Sequence, residues 1–542
     1  MNFIFRLLFS VLGALIVCGT VYDVLVHNQI LASLGSLMRN GQFKQEPEPV
    51  SPEGEVNEHS PLLIQPGSVD VEEPTSGVAG QILLCFSITA NMKKILAVEV
   101  MKPGTLTAVH GIRLISMSWV ILGHTIVFML TSMKNPLIFI DDYFKRFSFQ
   151  AIMNASVSVD TFFLLSGTLA SYLMLKQIGK SGGPRNINWA LVFSHRFWRL
   201  TPAYMLILGF YTTLFHHLGT GPVYPETDDP NCMKNWWQNL LYINNLFTQS
   251  EGCMGWMWYL ANDMQFFIIS PLIIIALYNW FVVGVVIVGA LILMNILVVW
   301  ILTEKHNYVA DIGAFDTNRT GLNDLDCTGD DVSWAEQHDK ADTGSDKEGN
   351  EMMMEWFNNV YVRPYCRVGV YAIGIGLGYL LSHIPSRPRI RVLWVIAGWL
   401  LAALCCLSAL YGLYGVSSNE RVLPSGVNAL YASVHRIVWA LGVSWVIFAC
   451  STGYGGPVNT LLSWSGLVPL SRFTYMAYLI HPMVIAWVYG TNEAPVYICD
   501  TTIICMFVAN LMLSYALAFI LSVTLESPLI ALEKLLLPQK NR

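Results

Sequence analysis

The sequence predicts an all-α polytopic membrane protein, a bundle of about eleven transmembrane helices. Of its 542 residues, 54% are hydrophobic and only 13% are charged. Mean hydropathy is +0.49, well above the range of soluble domains. The apolar residues also fall in blocks of about 20, each long enough to cross a bilayer as a helix. The blocks do not alternate at period two, which excludes a β-barrel. A net charge of -6 without a dense Lys/Arg tract excludes nucleic acid as a partner.

The first apolar run, Leu7 to Leu25, follows Arg6 and has the outline of a secretory signal. It lacks a small-residue cleavage site and includes Asp23, so residues 1–35 are expected to be a retained N-terminal transmembrane helix starting the chain. Residues 36–90 are rich in Glu, Pro and Ser, and are expected to form a disordered, acidic cytosolic linker that cannot bury enough apolar surface to fold. A membrane core over 91–530 and a cytosolic tail over 531–542 complete the expected organisation.

The remaining spans are expected at 111–131, 152–175, 199–217, 258–278, 281–302, 366–384, 392–414, 429–450, 470–489 and 500–525. Their basic connections are Lys93, Lys94 and Lys102; Lys176, Lys180, Arg185 and Arg196; Arg387, Arg389 and Arg391; and Lys534, Lys540 and Arg542. All four clusters fall on one side, which the positive-inside rule assigns to the cytosol. The loops on the other side, 218–257 and 303–364, are longer and more acidic.

Loop 303–364 contains Asn318-Arg319-Thr320, a glycosylation acceptor that suits a lumenal or extracellular position. Its carboxylates do not complete a calcium loop, because Ala335 stands where the bidentate Glu is required. Asn154-Ala155-Ser156 is a second acceptor match, set too close to the membrane for use. Most cysteines sit inside apolar runs as small hydrophobes. Cys232 and Cys253 lie in loop 218–257, where an oxidising lumen favours their pairing; Cys327 and Cys499 remain alternative partners.

Ionisable groups at membrane depth are costly and mark candidate sites. Eleven helical steps separate Arg113 from His124, which places them on nearly the same face about 16 Å apart along the axis. The next span carries Asp160 within an aromatic run and needs a cationic partner from another helix. Asp263 lies inside Trp258-Tyr259-Leu260-Ala261-Asn262-Asp263-Met264-Gln265-Phe266, and His481 stands beside Pro482. A histidine near neutrality serves as a general base towards a hydroxyl, and arginines at cytosolic helix ends grip phosphate. His306 is followed five residues later by Asp311, a spacing found in soluble-domain glycerolipid acyltransferases, but the pair opens the acidic loop, and a chance match is the better reading. No H-E-x-x-H, G-x-S-x-G or P-loop pattern occurs, and no metal site is expected.

These residues resemble the acyltransferase type 3 membrane proteins. The family's Arg, ten residues, His motif is matched by Arg113 and His124. Its Asp-x-Phe-Phe-x-x-Ser-Gly segment is matched by Asp160, Phe162, Phe163, Ser166 and Gly167. Arg196, Arg199 and Pro202 are similar to its Arg-x-x-Arg-x-x-Pro element, and Trp258, Asp263, Gln265 and Phe266 to its Trp-rich segment, with Asp263 where bacterial members often carry Glu. The combination covers about residues 100–525 and is closest in pattern to the animal branch called nose resistant to fluoxetine, without that branch's Cys-containing extracellular N-terminal domain.

The resemblance implies a ten-helix core that takes an acyl group from acyl-CoA and passes it to a hydroxyl acceptor, a lipid or a small molecule. It gives His124 the part of general base, and puts Asp160, Asp263 and His481 around the reaction chamber. Arg113, Arg196 and Arg199 would engage the donor's phosphates. A lipid or small-molecule transporter using the same intramembrane polar groups is the alternative, weakened by the lack of paired broken helices. Either reading fits a multi-pass protein of the endoplasmic reticulum or plasma membrane with membrane lipids as partners.

Overall fold

The computed structural model describes residues 2–39, 77–98, 106–311, 351–385, 387–418 and 423–536. Among them the architecture is all-helical, and the only pairing of extended backbone is a single bridge between Met133 and Val496. In chain order the principal helices are α1 (Asn2–Arg39), α2 (Val78–Cys85), α3 (Ile88–Leu96), α4 (Ala108–Met129), α5 (Val157–Lys180), α6 (Trp189–Thr213), α7 (Pro230–Leu240) and α8 (Trp258–Asn279). They continue with α9 (Phe281–His306), α10 (Val368–His383), α11 (Val392–Tyr411), α12 (Ser425–Ser451), α13 (Thr474–Gly490), α14 (Asp500–Leu521) and α15 (Ser527–Leu536).

Eight helical segments among the described residues are long and apolar enough to cross a membrane. The other three expected spans are also helices. Of these, α6 carries His195, Arg196 and Arg199 in its first half, whereas α10 and α13 have only 16 and 17 residues. A 16-residue helix rises about 24 Å, short of the ~30 Å hydrocarbon thickness. Both short helices are largely buried against protein, which is where a short helix can still satisfy its ends.

The described residues form two compact units. The smaller comprises Met1–Met101, Trp198–Ala203 and Phe519–Arg542. Here Asp23 has a structural use: it accepts hydrogen bonds from the Ser87 hydroxyl at 2.6 Å and from Thr89. Ser87 also caps α3 through the Ala90 amide at 3.2 Å. One carboxylate in α1 thereby fixes the turn between α2 and α3, as a polar group at membrane depth does when it joins helices.

The larger unit comprises Lys102–Phe197 and Tyr204–Ala518. Its centre is the contact of α5 with α10. A Cβ on Gly167 would come within 2.4 Å of the Tyr371 carbonyl, and one on Gly374 within 2.4 Å of the Leu164 carbonyl. Only glycine lets the two backbones approach this closely, the small-residue packing that membrane helices use. The core around them holds Phe163, Leu164, Trp258, Phe266 and Ile375. On the loop side, a Cys232–Cys253 disulfide ties α7 to the turn that enters α8, across a sequence separation of 21. Asn318 and Cys327 lie outside the described residues.

Candidate active site

Three clusters of polar side chains lie inside the larger unit, and His124, His481, Asp263, Arg196 and Asp160 divide among them. The first joins α4 to α13. His124 Nδ1 stands 2.9 Å from His481 Nε2, with ring centroids 5.0 Å apart. His481 is fully buried, whereas His124 is half-buried. The other nitrogen of His481, Nδ1, faces the carbonyls of Ala477 at 3.0 Å and Tyr478 at 2.9 Å. Two imidazoles 357 positions apart in sequence thus share one hydrogen bond deep in the bundle.

A second cluster draws on three helices. Asp263 of α8 accepts from the Ser166 hydroxyl of α5 and is paired with the Arg196 guanidinium of α6. The Arg196 guanidinium also lies over the Phe267 ring, 4.1 Å from its centroid, a favourable cation–π contact. Both partners keep some exposure, 20% for the Arg196 side chain and 10% for Asp263, so the pair is reachable from outside the packed core. Tyr259, one helical turn before Asp263, packs tilted against Phe163 with ring centroids 4.6 Å apart and edge-on against Tyr478 at 5.4 Å, and Tyr478 donates to the Trp256 carbonyl at 2.7 Å. This Tyr259–Tyr478 contact links the second cluster to the histidine pair. Tyr259 also lies within electrostatic reach of Asp263, Arg196 and Arg113.

Asp160 belongs to the third cluster. Arg367, at the start of α10, donates from Nη1 to both Asp160 oxygens at 2.8 and 2.7 Å, and both side chains are fully buried. Arg367 also donates from Nε to the Tyr361 carbonyl at 3.0 Å and packs over Tyr361 and Trp258, 4.6 and 5.2 Å from the ring centroids. The carboxylate is therefore spent on holding α10 against α5, at the same helix pair whose glycines interlock. Close by in sequence logic but not in contact, His306 and Asp311 do not act together: Asp311 instead lies 3.3 Å from His435 Nε2 and accepts from Ser156 at 3.0 Å.

The Trp-rich segment owes its remaining polar residues to structure. Asn262 donates to the Val362 carbonyl at 2.8 Å and accepts from Asn245 at 2.6 Å, while Gln265 donates to the Tyr242 carbonyl at 2.8 Å. These bonds seat the loop before α8 on the helix that carries Asp263. Arg113 is half-buried on α4, and His110, one turn before it, makes a 2.6 Å hydrogen bond with Ser471. Arg199 falls in the smaller unit, where it is exposed and interacts electrostatically with Glu526. No group of three or more His, Cys, Asp or Glu suited to a metal occurs among the described residues.

The family described as "Acyltransferase domain" matches residues 106–526, a stretch that contains all three clusters. The chain belongs to this acyltransferase family. Among curated proteins it is similar to Nose resistant to fluoxetine protein 6 of Caenorhabditis elegans, 32% identical over 85% of this chain and 55% of the relative. It therefore spans about half the length of that relative. It is also similar to Regulator of hypoxia-inducible factor 1 of Caenorhabditis elegans, 24% identical over 83% of this chain and 84% of the relative. No solved structure matches. Membership makes the protein an acyltransferase-type membrane protein, and the family region begins two residues before α4, the helix that supplies Arg113 and His124.

Among the side chains that build these clusters, sequence reading did not single out Ser166 as a partner of Asp263, or Tyr259 and Tyr478 as the link between clusters. Ser166 stands in the same quoted segment as Asp160, two turns along α5, and its hydroxyl was the available signal. The tyrosines offered none, since an aromatic residue in a membrane helix is most often packing.

Proposed function

We propose that the protein transfers an acyl group from acyl-CoA to a hydroxyl on a lipid or small-molecule acceptor within the membrane. The observation that carries this reading is the half-buried His124, backed by the buried His481 and on the same helix as Arg113, inside the acyltransferase region. In the proposed reaction the acceptor oxygen attacks the thioester carbon while His124 takes the hydroxyl proton. The new C–O bond forms, the C–S bond breaks, and the proton passes from His124 to the thiolate, so that free CoA leaves. A positioned general base of this kind contributes about 10²- to 10⁴-fold in rate.

Donor phosphates fall to Arg113 in this reading, and the Arg196 guanidinium is paired with Asp263. Asp263 and Arg196 bound the chamber and set its charge in this reading, whereas Arg199, which belongs to the smaller unit, is left out of the proposed site. Asp160 contributes through Arg367 by holding α5 and α10 together. The acceptor approaches from the bilayer and the donor from the cytosolic side, as the basic connections suggest.

The test is purified protein in nanodiscs with radiolabelled acetyl-CoA and a lipid extract. Release of CoA together with label on an acceptor, lost in His124→Ala but with a raised KM in Arg113→Ala, supports the reading. Uptake of label into sealed vesicles without CoA release contradicts it and supports the transporter alternative.

A further inference from the structure

Among the buried polar groups, the His481-Pro482 dipeptide has a geometry that general-base chemistry does not by itself require. A carbonyl oxygen can only accept a hydrogen bond. Because His481 Nδ1 lies 3.0 Å from the Ala477 carbonyl and 2.9 Å from the Tyr478 carbonyl, that nitrogen must carry the hydrogen and donate it. A neutral imidazole has one N–H and one lone pair, so the lone pair of His481 sits on Nε2. That atom faces His124 Nδ1 at 2.9 Å, which must then be the donor of the shared bond. With its hydrogen on Nδ1, His124 holds its own lone pair on Nε2, the nitrogen that does not face His481.

The sequence explains why the Tyr478 carbonyl is free to take part. Within a helix it would accept from the backbone N–H four residues on, and that residue is Pro482, which has none. The proline inside α13 thus leaves an acceptor unsatisfied at the depth of the site, and the His481 ring satisfies it. Leaving such a carbonyl unpaired in the membrane is costly, so the bond is strongly held.

The geometry points to a tautomer lock: the Tyr478 carbonyl orphaned by Pro482 sets the hydrogen of His481, and His481 sets that of His124, keeping the outer nitrogen of His124 unprotonated and ready to accept a proton from the substrate hydroxyl. This rests on the acyl-transfer reading for the use of that nitrogen, but the lock itself is a property of the resting protein. His481 is on this account a positioning residue, acting through His124 without touching substrate. When His124 takes up the substrate proton, its Nδ1–H still donates to His481, so the same chain of bonds supports the charged ring until the proton is handed to the leaving thiolate.

Two variants and one spectrum test the lock on the full-length protein in nanodiscs. His481→Leu keeps apolar volume but offers no acceptor to His124. His481→Gln places an amide oxygen near the position of Nε2 and an amide N–H able to meet a backbone carbonyl. The expected result is a fall in kcat of about tenfold for His481→Leu, the equivalent of one ordinary hydrogen bond, with KM for acetyl-CoA within about twofold of the parent. His481→Gln is expected to recover most of that loss.

In parallel, nitrogen NMR of protein labelled at histidine reads the tautomer without turnover, the His124 signal being the one missing in His124→Gln. It is expected to show hydrogen on Nδ1 in the parent and in His481→Gln, and on Nε2 in a substantial fraction of His481→Leu. A parent spectrum with hydrogen on His124 Nε2 overturns the lock, as does equal impairment of the Leu and Gln variants with intact folding. An Nδ1 signature in a parent protein that transfers no acyl group upholds the lock and overturns the acyl-transfer reading, which keeps the two failures distinct.

Discussion

Asp160→Ala should unfold the larger unit, whereas replacing both members of the buried ion pair should not. Arg367 has no exposure, and its ionic partner is Asp160, reached by two contacts at 2.8 and 2.7 Å. Without the carboxylate, the guanidinium keeps one carbonyl acceptor, that of Tyr361, and the faces of Tyr361 and Trp258. Its Nη2 already makes no hydrogen bond. Cation–π contacts of roughly 2 kcal/mol cannot replace the lost charge pair, and breaking such a pair costs about 3–5 kcal/mol. The double variant Asp160→Leu with Arg367→Met removes both charges and keeps apolar volume, a change that is often neutral or stabilising. Thermal unfolding in detergent, followed by intrinsic fluorescence, should therefore place Asp160→Ala far below the parent and the double variant near it, with measurable acyl transfer restored. A well-folded Asp160→Ala protein that has lost only activity would refute the reasoning, because Asp160 would then act in chemistry.

Other consequences follow from particular contacts. Gly167→Ala should lower the unfolding temperature and disturb α5, since its Cβ would meet the Tyr371 carbonyl at 2.4 Å and neither backbone can yield without separating the helices; normal stability would speak against the packing. Cys253→Ser should cost about 3 kcal/mol by releasing a loop whose ends are separated by 21 in sequence, and mass spectrometry of unreduced peptides should recover Cys232 joined to Cys253 in the parent, not to Cys499. Asn318→Gln should abolish an endoglycosidase-sensitive mobility shift if loop 303–364 is lumenal; a parent protein without that shift would count against this side assignment.

The helices were legible in the sequence because membrane solubility writes itself into composition. Blocks of apolar residues predicted α4, α8, α9 and α12 to within a few residues. Helices α10 and α13 also fell where expected, but at 16 and 17 residues, because neighbours bury them and length is no longer set by the bilayer alone. The stripe joining Arg113 to His124 was readable, being local to one helix. What could not be read was pairing across the bundle. Asp160 announced a need for a cation without saying that Arg367, more than two hundred residues later, would meet it with both groups dry. Asp263 looked equivalent to Asp160 in sequence, yet it keeps some exposure beside Arg196. His124 and His481 each stood out as deep histidines, but their hydrogen bond depends on how α13 turns about Pro482, a tertiary matter that periodicity does not encode.

The most direct test of an intramembrane acyltransferase built on His124 is single-turnover transfer from labelled acetyl-CoA in nanodiscs, comparing the parent with His124→Ala at matched unfolding temperature. A loss of about 10²-fold or more in the transfer step, with the variant still folded and still binding acetyl-CoA, is the predicted result. A folded His124→Ala protein that transfers the label at the parent's rate would contradict it.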